Sequence, residues 1–104
     1  MPTRQFTLTS TSSTDILVPP RNRKVTITML RLANTGSSDA TVTLQQVSPD
    51  GSITKTLAEI EVKAGQEFGI TLDSGAYELF RGFKLTGLLS TSTTVNGEMT
   101  YKLE

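Results

Sequence analysis

A chain of 104 residues is the size of one domain, 1–104, and can bury a core without staples. It contains neither cysteine nor histidine, which excludes a disulfide framework, thiolate and imidazole metal sites, and Ser–His or Cys–His nucleophiles. Ten basic and ten acidic residues balance to zero, so no global field draws the chain to nucleic acid or to a membrane surface.

Serine and threonine are abundant, and no segment repeats apolar residues at helical spacing. Short strands are predicted throughout. Gln5–Thr9 places Phe6 and Leu8 on one face. Ser10–Thr14 is a polar linker. Asp15–Val18 puts Ile16 and Val18 on one face, and Pro19-Pro20 then ends pairing, because proline has no N–H to donate. Arg21, Arg23 and Lys24 form a basic loop. Val25–Asn34 is the longest apolar strand; its phase changes at Met29-Leu30, which implies a β-bulge or a strand buried on both faces.

Thr35–Asp39 is a loop, and Ala40–Val47 is a strand with Val42 and Leu44 inward. Ser48-Pro49-Asp50-Gly51 is the clearest turn, since proline presets φ, aspartate accepts a local hydrogen bond and glycine supplies a positive φ. It joins Ala40–Val47 to Ser52–Leu57 as a hairpin. Thr56–Lys63 is the best helical candidate, yet it fits a strand equally and is too short to stand alone.

The stretch Val62–Leu85 reads as turn, strand, corner, strand: Ala64-Gly65-Gln66, then Phe68, Ile70 and Leu72 alternating, a corner at Asp73–Ala76, and Phe83 and Leu85 after Gly82. Ser90–Thr94 is a loop. Val95–Leu103 alternates strictly, although Asn96-Gly97 within it is also a strong hairpin dipeptide. Seven to nine short strands with regularly spaced turns specify an all-β fold: a single antiparallel β-sandwich, jelly-roll or immunoglobulin-like. The predicted core includes Ile27, Val42, Leu44, Ile70, Met99 and Tyr101.

Candidates for chemistry are few. Glu59 and Glu61 share a strand face, as a solvated edge guard or as a carboxylate pair. Asp39, Asp50 and Asp73 sit in turns and lack calcium-loop spacing. The glycines form no phosphate cradle. No catalytic residue, metal ligand or cofactor is therefore expected. Arg21, Arg23 and Lys24 are either a solvated loop or a contact for an acidic protein partner. Tyr77 and Phe80 beside Arg81 are either corner packing or a small exposed platform. Phe6 and Leu8 either complete the chain's own sheet or, with 1–14 as an arm, add a strand to a neighbour.

From Ala64-Gly65 onward, the chain resembles small β-sandwich structural proteins of tailed bacteriophages. The shared pattern is the A-G-x turn, the alternating strand Phe68, Ile70, Leu72, the L-x-x-G-x-x-L element Leu79, Gly82, Leu85, a Ser/Thr-rich loop and a terminal strand. Bulky Tyr77, Phe80 and Phe83 stand where small or polar residues are ordinary. The resemblance implies a non-enzymatic virion component: a capsid decoration (cement) protein, or a neck or tail accessory protein, acting as a homo-oligomer against other capsid, neck or tail subunits. The alternative is a carbohydrate-binding or adhesin-type sandwich. The opening M-P-T-R-Q-F-T has no signal-peptide core and no apolar run is long enough to span a bilayer, so synthesis in the bacterial cytoplasm and incorporation into the virion are expected.

Overall fold

The computed structural model describes residues 2–71 and 77–104. Nine strands are found among them: β1 (Thr3–Leu8), β2 (Thr14–Leu17), β3 (Val25–Asn34), β4 (Ala40–Val47), β5 (Thr54–Val62), β6 (Glu67–Thr71), β7 (Tyr77–Glu78), β8 (Lys84–Leu89) and β9 (Val95–Leu103). They form two antiparallel sheets, ordered β1-β9-β3-β6 with β7 also on β3, and β2-β8-β4-β5. No described residue is helical.

The topology is a long hairpin rolled up. Its tip is the turn between β4 and β5, and pairing is nested outward from it: β4 with β5, β3 with β6 and β7, β2 with β8, β1 with β9. Rolling then places β9 against β3 and β4 against β8, which closes the two sheets of a jelly roll. The tip is tightly specified. Gly51 has φ 79° and its amide donates to the Ser48 carbonyl at 2.9 Å. The Asp50 carboxylate accepts from the Ser48 hydroxyl at 2.6 Å and from the Ser52 amide and hydroxyl at 3.0 and 2.8 Å.

The core lies between the sheets and is built from alternate residues: Leu30 and Leu32 of β3, Val42 and Leu44 of β4, Leu85 and Leu89 of β8, Val95 and Met99 of β9. The phase change of β3 is a bulge. Ile27 pairs with Tyr101 and Met29 with Thr100, leaving Thr28 as the extra residue. The segment 56–62 is strand, with Lys63 just beyond its end, and Val95–Leu103 runs unbroken through Asn96-Gly97. That continuity has a packing reason. Gly97 pairs with Phe6, whose ring fills the space where a Gly97 side chain would stand.

Three expectations are corrected. Ile70 is 36% exposed rather than core, because β6 has a neighbour on one side only and its alternation assigns faces without burying them. Tyr101 is only partly buried, near the end of β9. Val18 does not follow Ile16 inward: a register shift between Asp15 and Leu17 buries Ile16 and Leu17 consecutively and leaves Val18 64% exposed. The corner predicted at Asp73–Ala76, with Leu72, lies outside the described residues.

Candidate functional site

The sandwich has two ends. The connections 18–24, 48–53 and 79–83 meet at one of them, together with the end of β9. There the chain folds two turns against each other. Arg23 N–H donates to the Pro20 carbonyl at 3.1 Å, and Phe83 N–H donates to the Phe80 carbonyl at 3.0 Å. The turns are locked by Gly82 N–H to the Arg23 carbonyl at 2.9 Å and by the Arg81 guanidinium to the Asn22 carbonyl at 2.6 Å. Gly82 is required twice over: its φ is 78°, and a Cβ there would lie 2.6 Å from the Arg21 carbonyl oxygen.

This scaffold presents Phe80. Its amide is held by the buried Gln46 side chain at 2.8 Å, and its ring meets Phe83 edge-on at 5.2 Å, yet the residue is 52% exposed. The Lys55 ammonium sits 5.2 Å from the ring centroid. Val18 and Ile53 are also exposed at this end. A hollow of about 220 Å³ opens between Val18, Pro19, Pro49 and Gly82, rimmed by Arg21 and Lys84.

The cations here divide into two groups. Lys24 is paired with Glu78 at 3.2 Å and Lys84 with Asp15 at 3.0 Å. Arg21, Arg23, Lys55 and Arg81 have no carboxylate partner among the described residues, although Arg23 donates to the Leu103 carbonyl at 3.0 Å. The result is an apolar patch beside four cations with no carboxylate partner among the described residues, while Asp15 lines the hollow and Asp50 lies in the adjoining turn.

The sequence candidates are thus sorted. Arg21, Arg23, Lys24, Phe80 and Arg81 are brought together. Tyr77 is not part of the platform; it pairs with Ile27 and packs against the core, half-buried. Phe6 and Leu8 are not free contacts either. β1 pairs with β9 of its own chain, Leu8 is buried, and Phe6 lies over Gly97. The strand is anchored further by the Arg4 side chain, which donates to the Ile16 carbonyl at 3.1 Å and ties the two sheets. Residues missed by sequence reasoning are Gln46 of β4, Lys55 of β5, and Val18 and Ile53 of the connections, which are distant from one another in the chain.

A second concavity, about 610 Å³, lies on the outer face of the β1-β9-β3-β6 sheet, where Gln5, Thr7, Arg31, Asn96 and Glu98 converge. Gln5 donates to Glu98 at 3.3 Å and Thr7 to Asn96 at 3.0 Å. Its aromatic member, Phe6, keeps its ring on Gly97 at the core side. Among the described residues no group of three or more Asp and Glu is placed to hold a metal, and no helix is long and apolar enough to cross a membrane.

No protein-family model and no curated protein sequence matches this chain. Solved structures share its architecture, among them the following two. PirA superposes with a TM-score of 0.60 at 12% identity, over 96% of this chain and 93% of that one. The Drosophila NLP-core, described in terms of pentamer formation and histone binding, superposes with a TM-score of 0.50 at 17% identity, over 98% and 99% of the two chains. At such identities what is shared is the whole-chain fold: a single antiparallel sandwich.

Proposed function

We propose that this protein is a non-enzymatic structural component of a tailed-phage virion, a capsid decoration or a neck or tail accessory protein. It acts as a homo-oligomer that docks on neighbouring subunits through its basic, Phe80-bearing end. The observation that carries the docking role is the combination at that end: a preformed aromatic platform beside three cations, Arg21, Lys55 and Arg81, that have no carboxylate partner among the described residues. Preorganised backbone lowers the entropy lost on docking, and unpaired cations select an acidic surface. The virion assignment rests on the resemblance that starts at Ala64-Gly65. Oligomerisation has the further support that the NLP-core, a structure of the same fold, is described as forming a pentamer. Repeated copies would add affinity by multivalency.

The test is composition of the particle. Mass spectrometry of purified virions of the phage encoding this chain is expected to find it in many copies, released by high salt. Its absence from intact particles overturns the assignment.

One observation favours a second reading, glycan binding: the polar concavity lined by Gln5, Arg31, Asn96 and Glu98. Titration with neutral oligosaccharides, with Arg31→Ala as the control, decides it.

A further inference from the structure

We propose that the concavity on the outer face of the β1-β9-β3-β6 sheet holds two neighbouring hydroxyls of a neutral sugar through Asn96, Glu98 and Arg31, with Gln5 and Thr7 as positioning residues. This rests on the glycan reading just stated and not on the virion assignment. It adds which side chains touch the ligand and which part of the sugar they take.

The strand registers build the site in rows. Thr7, Asn96, Ala33 and Glu67 stand opposite one another across the four strands, and Gln5, Glu98, Arg31 and Gly69 form the next row. Both rows point away from the core, because the residues that alternate with them in β9 and β3, Val95, Met99, Leu30 and Leu32, are buried. Ala33 adds little bulk to the floor, and Gly69 beside Arg31 adds none. The hollow of about 610 Å³ lies within the ~300–1,000 Å³ usual for small-ligand sites.

The two β9 side chains are each braced from the edge strand. Gln5 donates to one Glu98 oxygen at 3.3 Å, and the Thr7 hydroxyl donates to the Asn96 side-chain oxygen at 3.0 Å. Each brace engages one atom and leaves another open. The second Glu98 oxygen and the Asn96 side-chain N–H groups have no hydrogen-bond partner among the described residues. The Arg31 guanidinium has only the 4.0 Å contact with Glu67, between two well-exposed side chains. Open acceptors and open donors therefore stand on adjacent strands, held in place by their neighbours.

That mixture selects the ligand. A hydroxyl donates and accepts at once, so a pair of neighbouring hydroxyls gives a proton to Glu98 and accepts from Asn96 or Arg31. An anion would face Glu67 and Glu98, and a cation would face Arg31. An apolar ligand finds no aromatic surface, since the Phe6 ring lies over Gly97 on the core side. A peptide finds no main-chain partner, because β9 and β3 are paired on both sides and offer side chains alone.

Calorimetric titration of the full chain tests this with maltotriose, cellotriose, mannotriose, galactobiose and N-acetylchitotriose. At least one is expected to bind, with an affinity that salt does not change, because the ligand carries no charge. The permethylated form of that sugar is expected not to bind. Asn96→Ala and Glu98→Gln are each expected to weaken binding roughly tenfold. Thr7→Val is expected to weaken it severalfold and Thr7→Ser to restore it, with unchanged melting throughout, since these side chains lie outside the core. Weakening by Thr7→Val without recovery in Thr7→Ser would make Thr7 structural and overturn its positioning role. Binding that survives permethylation, falls with salt, or ignores Asn96→Ala and Glu98→Gln overturns the assignment of the site; if Arg31→Ala still abolishes that binding, the glycan reading stands. Binding by none of the sugars overturns both.

Discussion

At one end of the sandwich the connections 9–13, 35–39, 63–66 and 90–94 carry mostly serine and threonine; at the other, 18–24, 48–53 and 79–83 carry proline, arginine and aromatic side chains. The first set is consumed internally. Asn34, buried at the end of β3, donates to the Ser38 and Val62 carbonyls at 2.8 and 2.9 Å and accepts from Gly36 N–H at 3.1 Å and the Thr93 hydroxyl at 3.3 Å. Ser90 accepts from the Thr41 amide at 2.8 Å, Asp39 from the Ala64 amide at 2.8 Å, and Ser10 from the Ser12 amide at 2.9 Å. The second set is fixed mainly through backbone, which leaves long cationic side chains and the Phe80 ring outward. Two polar ends therefore differ in availability. Short hydroxyl and amide side chains fold back onto nearby backbone, while long cations on a braced backbone reach solvent.

The largest expected effect is at the hydroxyl-rich end. Asn34→Ala removes a buried amide and orphans two carbonyls and a backbone N–H, and is expected to cost about 3 kcal/mol in a urea melt. A loss under ~1 kcal/mol would mean that water replaces the side chain and that this end is not internally braced. Gly82→Ala comes next. It forces a Cβ onto a positive φ and toward the Arg21 carbonyl, and is expected to cost roughly 1–3 kcal/mol while also weakening docking, since the two locked turns move together. Full docking by a destabilised Gly82→Ala protein would detach the platform from its turns.

Phe80→Ala sharpens the contrast from the other side. The ring is half in solvent, so stability is expected to fall by less than about 1 kcal/mol, while assembly weakens far more. Equal loss of stability and assembly would make Phe80 a core residue.

The smallest effect is at the Asp50 turn. Hydrogen bonds from the Ser48 hydroxyl and then from Ser52 hold its carboxyl at about 2, below the usual 3.8. A depressed folded-state value means that the carboxylate stabilises the fold fully above its unfolded value, and that this contribution is lost as pH falls toward 2. Asp50→Asn should therefore lower the melting temperature slightly at pH 6, with the difference from wild type vanishing near pH 2. A difference that persists in acid would assign the effect to geometry rather than charge.

How much was legible in the sequence differs element by element. Alternation in Ala40–Val47 and Val95–Leu103 fixed both strands and their inward faces, because a strand has a side-chain period of two wherever it lies. The Ser48–Gly51 turn was legible because its φ and hydrogen-bond requirements are local. The sandwich class and the bulge in β3 belong here too, as do the basic loop Arg21, Arg23, Lys24 and the Phe80-Arg81 pair as two separate candidates; that the two meet is a product of the tertiary structure.

What only the tertiary structure decided is which strand became an edge and what each side chain met there. Ile70 alternates like a core residue, but β6 has no second neighbour to complete its cover. Val18 was turned out by a shift in pairing between β2 and β8 that no local pattern encodes. Phe6 found its place over Gly97, and Lys55 over Phe80, across long separations in the chain. Periodicity assigns a residue to a face. Whether that face is covered, and by what, depends on how the rolled hairpin brings distant segments together, and so is settled by packing alone.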